Sequence, residues 1–208
     1  SIALTGGSTP KAFYSWLNER KQDKQPLSLK NLVWTVSDER CVPLTDIESN
    51  FGNADRGFLR FFRIAESQKI YWRTELEPNL AATRFEAIWT KRFGTDVCFD
   101  LCFLGMGDDC HTASIFPGSI LLEKESKTRF SAVEVPGKDW RLTVTPEGLI
   151  KCRQIVVTVS GASKAAALCE VFEGEYNPLA KPVQILSRCP EKVTWLVDFE
   201  AAANLAAA

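Results

Sequence analysis

Short apolar runs alternate with helical patterns along the whole chain, and that alternation restricts the fold more than any single motif does. Runs at 2–5, 32–37, 99–104, Phe130–Val135, 142–145, Gln154–Val159 and Val193–Val197 read as strands. Helical spacing is expected at 10–20, 49–62, Pro78–Phe93 and 162–172, with Ala81, Phe85, Ile88 and Trp89 on the buried face of the third. Strands that alternate with helices predict an α/β fold: a single doubly wound, mostly parallel sheet with helices on both faces, a modified Rossmann-like arrangement. Neither an internal repeat nor a low-complexity linker interrupts the pattern, so residues 1–208 are expected to form one domain.

Charge and cysteine usage narrow the partners. A formal net charge of −1 offers no general attraction for nucleic acid or an anionic membrane, and no apolar run is long enough to span a bilayer. Any bound anion must therefore meet a local cluster of basic groups. The 7 cysteines (Cys41, Cys98, Cys102, Cys110, Cys152, Cys169 and Cys189) are odd in number and include no CxxC pair, which predicts free thiols in a reducing cytoplasm and no structural zinc site. No secretion signal is visible. Ser1-Ile2-Ala3-Leu4 reads as the middle of a strand, so the chain is expected to begin inside its natural protein. The charged stretch 124–129 is expected to be a solvated surface loop.

The only histidine, His111, lies in Gly105-Met106-Gly107-Asp108-Asp109-Cys110-His111-Thr112-Ala113-Ser114-Ile115-Phe116-Pro117-Gly118, directly after the run 99–104. Imidazole titrates near neutrality, and here it sits in a loop at the end of a strand, where α/β proteins hold their ligands. A lone histidine beside an apolar strand is often only a hydrogen-bonded structural residue. Here two glycines permit close backbone approach, and Asp108 and Asp109 are placed to fix a tautomer or to bind hydroxyls. Gly105-x-Gly107 also imitates a dinucleotide fingerprint, but Cys110 stands at the third glycine position, which excludes a nicotinamide site.

The first strand leads into Thr5-Gly6-Gly7-Ser8-Thr9-Pro10, where Ser8 or Thr9 can cap the next helix and Pro10 suits its first turn. Such a turn is either a plain helix start or a phosphate cradle. A helix N-terminus contributes only ~0.3–2 kcal/mol to a bound anion, so a tight phosphate site also needs hydroxyls and a cation. Lys164, in the first turn of a helix after 154–159, is unfavourably placed unless an anion offsets the dipole. Arg141 opens the run 142–145, and Arg40 follows the run 32–37 within Ser37-Asp38-Glu39-Arg40-Cys41-Val42-Pro43. Each is either a solvated cation or part of a polar sugar site.

Taken together, these motifs resemble the 6-phosphogluconolactonases, in the group that also contains the glucosamine-6-phosphate deaminases, from Gly6 to about Asp198. The matching pieces, in order, are Gly6 to Pro10, Asp38 to Pro43 with Ser49-Asn50, Gly105 to Gly118, Arg141 to Thr145, and Gly161 to Lys164. The resemblance implies that Gly6, Gly7, Ser8 and Thr9 with Arg141 and Lys164 hold a substrate phosphate. By the same resemblance Asp38, Arg40 and Asn50 line the sugar pocket, and His111 is the general base, with Asp109 and Arg40 as its catalytic partners. The deaminases carry a glutamate in His-Ile-Ala-Phe-Asn-Glu-Pro-Gly where this chain has Phe116, which cannot exchange protons, and they tend to have tyrosine where it has Arg40. Cys110 replaces the family's usual glycine between the aspartate and the histidine, which strains the loop if that residue needs a positive φ. By the resemblance, the chain is expected to lack the helix and strand that the family carries at its N-terminal end.

The implied activity is hydrolysis of 6-phospho-D-glucono-1,5-lactone to 6-phosphogluconate, a step of the pentose phosphate pathway. Opening a δ-lactone needs activated water, a stabilised oxyanion and a proton for the departing ring oxygen, and one neutral imidazole serves both proton transfers. Neither metal nor organic cofactor is expected, and the working unit is expected to be a cytoplasmic monomer or weak homo-oligomer. The alternatives are a deaminase/isomerase, a Cys110 thiolate as nucleophile, and a non-catalytic phosphosugar sensor; the sensor would not require His111.

Overall fold

The computed structural model describes residues 1–19, 29–124 and 126–206, and for Ser8, Thr9, Lys11 and Asn18 the backbone alone. Five parallel strands form the main sheet in the order β2-β1-β4-β7-β8: β1 (Ile2–Leu4), β2 (Trp34–Val36), β4 (Leu101–Gly105), β7 (Gln154–Val159) and β8 (Val193–Val197). The chain leaves β1 toward β2 on one side, and later returns to add β4 on the other. The winding therefore reverses between β1 and β4, whose registers pair Ile2 with Leu101 and Ala3 with Cys102. In an open α/β sheet the crevice beyond that reversal is where ligands bind.

The α/β class and the mostly parallel sheet agree with the alternation in the sequence, but three strands stand outside that sheet. β3 (Asp38–Arg40), β6 (Asp139–Val144) and β5 (Phe130–Val135) form a separate antiparallel sheet in the order β3-β6-β5. The runs at 130–135 and 142–145 thus make a hairpin rather than members of a single sheet. Ser37 is the pivot: its N–H donates to Leu4 O at 2.8 Å and its carbonyl accepts from Val144 N at 2.9 Å, one bond into each sheet. β6 begins three residues before the expected run, so Arg141 lies inside a strand instead of opening one.

The helices are α1 (Ser8–Glu19), α2 (Asn50–Ala54), α3 (Pro78–Phe93), α4 (Pro146–Ile150) and α5 (Ala165–Phe172). The expected end of the first helix at Arg20 lies outside the described residues. The second helical pattern does not run unbroken to 62: α2 is capped by Ser49, whose hydroxyl accepts from Gly52 N at 2.9 Å, and it passes into a wider π turn at Asp55–Leu59. On α3 the buried stripe is Ala81, Ala82, Phe85 and Trp89, whereas Ile88 is 40% exposed at the stripe's edge. Phe85 lies flat against Trp72, and Phe85, Trp89 and Phe99 pack around Phe130 of β5. Each such ring contributes about 1.5–3 kcal/mol by leaving water, so α3 holds the small sheet in place from behind.

The stretch 124–129 is not wholly solvated. Arg129 is only 3% exposed and is the most heavily bonded cation among the described residues. Its guanidinium donates to Glu86 Oε1, to the carbonyls of Gly94 and Val97 and to Thr90 Oγ1, while its backbone N–H donates to Glu86 Oε2. This network ties β5 to α3. All seven cysteines are free.

Candidate active site

A cavity of about 230 Å³ opens at the winding reversal, lined among others by Gly6, Gly7, Asp38, Arg40, Asn50, Gly107, His111 and Lys164. Residues remote in sequence meet here because four strand ends converge: β1 at Gly6, β3 at Asp38, β4 at Gly107 and β7 at Ser160.

The loop after β4 is tightly wound. Gly107 N donates to His111 O at 2.9 Å, Cys110 N donates to Gly107 O at 3.1 Å, and Thr112 Oγ1 donates to Gly105 O at 2.9 Å. A Cβ on Gly107 would lie 2.0 Å from His111 Nδ1 and 2.5 Å from Asp109 Oδ1, so only glycine lets the imidazole and the carboxylate close over the backbone. Asp109 Oδ1 takes both the His111 backbone N–H, at 3.1 Å, and Nδ1, at 2.5 Å. With Nδ1 committed to Asp109, Nε2 is the nitrogen available for proton transfer. Partial burial pushes the Asp109 carboxyl up, but the hydrogen bonds and charge of His111 outweigh it and hold Asp109 below the usual carboxylate range. The Phe116 ring stacks on the imidazole with centroids 4.3 Å apart, and Lys138 Nζ lies 4.5 Å from the Phe116 centroid.

Cys110 adopts φ 63, in the left-handed region that favours glycine, so the strain expected from a non-glycine residue is present. Its thiol is buried, contacts Ala167 O at 3.6 Å, does not line the cavity, and is pushed up chiefly by burial. A protonated, enclosed thiol is a poor nucleophile, which argues against the covalent alternative.

One side of the cavity rests on buried acids, Asp38 and Glu39. Asp38 accepts from Ser114 Oγ at 2.7 Å and Ser37 Oγ at 3.3 Å, joining the His111 loop to β3. Glu39, fully buried, accepts from Arg40 N, Asn50 N, Phe51 N and Ser49 Oγ at 2.7–3.0 Å. Burial raises its pKa, and the four donors offset part of that rise. Glu39 thereby fixes the start of α2 and delivers Asn50, whose Nδ2 donates to Asp38 O at 2.9 Å and whose amide lies so close to Gly6 that a Cβ there would sit 2.0 Å from Oδ1. Sequence reasoning passed over Glu39 and Ser114. Their signal is a second acid beside Asp38 ten residues before a helix cap, and a serine three residues after His111.

Arg40 lines the cavity with its Nη1 held by Glu48, through the carbonyl at 2.5 Å and Oε2 at 3.1 Å. Arg141 pairs with it directly across the β3–β6 register but does not line the cavity. Its guanidinium bonds Trp140 O at 3.1 Å, and burial followed by the charge of Arg40 lowers its pKa. Two cations directly opposed on neighbouring strands repel each other, so Arg141 reinforces the positive field at Arg40 from the adjacent strand. The structure does not bring Arg141, expected beside Lys164 at a phosphate, into the cavity lining.

At the other end, Lys164 closes a short 3-10 turn (Ala162–Lys164) just before α5. Gly161, at φ 92, donates its N–H to both oxygens of Asp198 at 3.0 and 3.1 Å, which pins that turn to the end of β8. Lys164 Nζ pairs with Asp108 Oδ1 at 2.6 Å. Gly7, at φ 108, leads into the N-terminus of α1; the side chains of Ser8 and Thr9 lie outside the described residues.

An imidazole backed by a carboxylate, in a cavity also lined by Arg40 and Lys164, defines an acid–base enzyme of the α/β class. The chain belongs to the family described as glucosamine-6-phosphate isomerases/6-phosphogluconolactonase, whose sequence profile matches residues 1–195. A 6-phosphogluconolactonase of Treponema pallidum is 35% identical over 175 residues, covering 82% of this chain and 71% of that protein. The human 6-phosphogluconolactonase is 32% identical over 209 residues, covering 99% of this chain and 80% of that one. Among solved structures, 6-phosphogluconolactonase from Trypanosoma cruzi superposes with a TM-score of 0.82 at 30% identity, covering 99% of this chain and 84% of the other.

Proposed function

We propose that this chain hydrolyses 6-phospho-D-glucono-1,5-lactone to 6-phosphogluconate, acting in the cytoplasm as a monomer or weak homo-oligomer. The observation that carries this reading is the Asp109–His111 pair at 2.5 Å in a cavity also lined by Lys164 and the Gly6-Gly7 turn. The phosphate is taken up by Lys164 and the backbone N–H groups that open α1, with Ser8 and Thr9 supplying hydroxyls. Asp38 and Asn50 hold sugar hydroxyls, and Arg40 polarises the lactone carbonyl.

His111 Nε2 takes a proton from water as its oxygen bonds to the carbonyl carbon, and Asp109 stabilises the imidazolium. Collapse of the tetrahedral intermediate breaks the bond from that carbon to the ring oxygen, which receives the proton back from Nε2. No electrons are gained or lost, and no cofactor enters the scheme. Phe116 occupies the position where the deaminase motif has a proton-transferring glutamate, so the lactonase reading is preferred to the deaminase.

The decisive experiment is His111→Asn, assayed on freshly made 6-phosphogluconolactone with spontaneous opening subtracted. The substitution keeps a polar group of similar reach but removes the titrating nitrogen, so kcat is expected to fall ~10²–10⁴-fold with KM nearly unchanged. Retention of more than about a tenth of kcat would make His111 structural and return Asp38 or Asp109 to consideration as the base.

A further inference from the structure

We propose that Asp108 is an internal stand-in for the ligand's phosphate, competing for Lys164 and so setting how tightly the site holds phosphorylated ligands. The inference rests on the reading of Lys164 as the phosphate cation. Asp108 and Asp109 are consecutive, yet they hold different partners: Asp109 grips the imidazole, and Asp108 reaches Lys164 Nζ at 2.6 Å. The backbone just before them is clamped at Gly107, which has no room for even a methyl group under His111.

The two partners differ in freedom. Lys164 belongs to the cavity lining, its side chain is 24% exposed, and its turn is pinned through Gly161 to Asp198. The Asp108 side chain is 68% exposed and is not part of the lining. A phosphate that reaches Nζ must therefore push aside a carboxylate that is free to swing into water, or bind beside its negative charge. Either event opposes binding.

Lactone and opened acid carry the same phosphate, so this opposition weakens both alike. Uniform weakening raises KM and hastens product departure without altering the chemical step. The device acts through charge and distinguishes phosphorylated ligands from neutral ones.

The test compares wild type, Asp108→Asn, Asp108→Ser and Lys164→Ala. It measures the Kd of inorganic phosphate by calorimetry, and the kinetics of 6-phosphogluconolactone and of unphosphorylated δ-gluconolactone. Removing the carboxylate by either Asp108 substitution is expected to tighten phosphate binding by roughly three- to tenfold, the scale open to an exposed, screened charge pair. KM for the phosphorylated lactone is expected to fall by a similar factor, with no rise in kcat/KM for the neutral one. Unchanged or weaker phosphate binding in both Asp108 variants, with binding lost in Lys164→Ala, overturns the competition and makes Asp108 a positioning partner of Lys164. Phosphate binding that survives Lys164→Ala overturns the assignment of Lys164 beneath it.

Discussion

Cys110 shows how much one position in the catalytic loop is asked to tolerate. An L residue in the left-handed region is strained by ~1–2 kcal/mol, which glycine escapes. Cys110 bears that conformation while burying its thiol against α5. Replacement by valine adds a second branch at Cβ, where positive φ tolerates it least, and overfills an enclosed site. Cys110→Val is therefore expected to destabilise the fold by at least ~2 kcal/mol in urea titration, whereas Cys110→Gly trades relieved strain against lost packing and stays within about 1 kcal/mol of wild type. A valine variant as stable as wild type would show that the loop relaxes to another path. The sequence alone marks this residue as anomalous only beside the family pattern, since nothing local announces a positive φ at a cysteine.

At the scale of elements, the parallel strands were readable because each is a short apolar run bounded by turn residues. The small sheet was not, for two reasons. β3 is Asp-Glu-Arg, whose charges read as loop, and its burial depends on partners supplied by α2 and the His111 loop. Periodicity also says which residues form strands but not which strands pair, so the hairpin β5–β6 passed for two members of one sheet. The site residues at strand ends were legible for the same reason the strands were, whereas Glu39, Ser114 and the placement of Arg141 beside Arg40 depend on that pairing. Arg129 is the clearest case of chemistry concealed in a charged stretch, because its acid partner lies 43 residues earlier in the chain. Glu86→Ala would leave that guanidinium buried without its counter-ion. The expected loss is about 3 kcal/mol in unfolding free energy, at the lower end for a buried pair because the Glu86 side chain is 23% exposed. A loss under about 1 kcal/mol would mean that the carbonyls of Gly94 and Val97 suffice to hold Arg129.

For the molecule as a whole, the carboxyls pull in two directions on acidification. Glu77 is held below its ordinary range by the backbone N–H groups of Leu80 and Asn79, Glu75 chiefly by its own backbone N–H and then by Arg73, and Asp109 by His111 against partial burial. Groups lowered in this way add stability above their unfolded pKa and lose it as pH falls through the folded value. Glu39, raised by burial, has the opposite sign: its contribution is complete below the unfolded pKa and is lost as pH rises through the folded one. Among the described carboxyls the lowered groups, Asp100 included, outnumber the raised one, so the urea midpoint is expected to drop as pH falls below about 4. A midpoint that holds or rises down to about pH 3 would mean that the burial of Glu39 governs the balance.

The two hydrogen bonds at Ser37, one into each sheet, also bear on the order in which this chain assembles its site. The small sheet joins Asp38 to Thr143 and the main sheet joins Ile2 to Leu101, closures across roughly a hundred residues that come slowly in any folding reaction. The proposed phosphate contacts, Lys164 and the turn that opens α1, need only the parallel sheet. Asp38, Arg40 and Asn50 take their places only once the hairpin has docked. Under the proposed function, a chain with the first sheet formed and the second still loose would keep Lys164 and the α1 turn for phosphate but lack Asp38, Arg40 and Asn50 at the site.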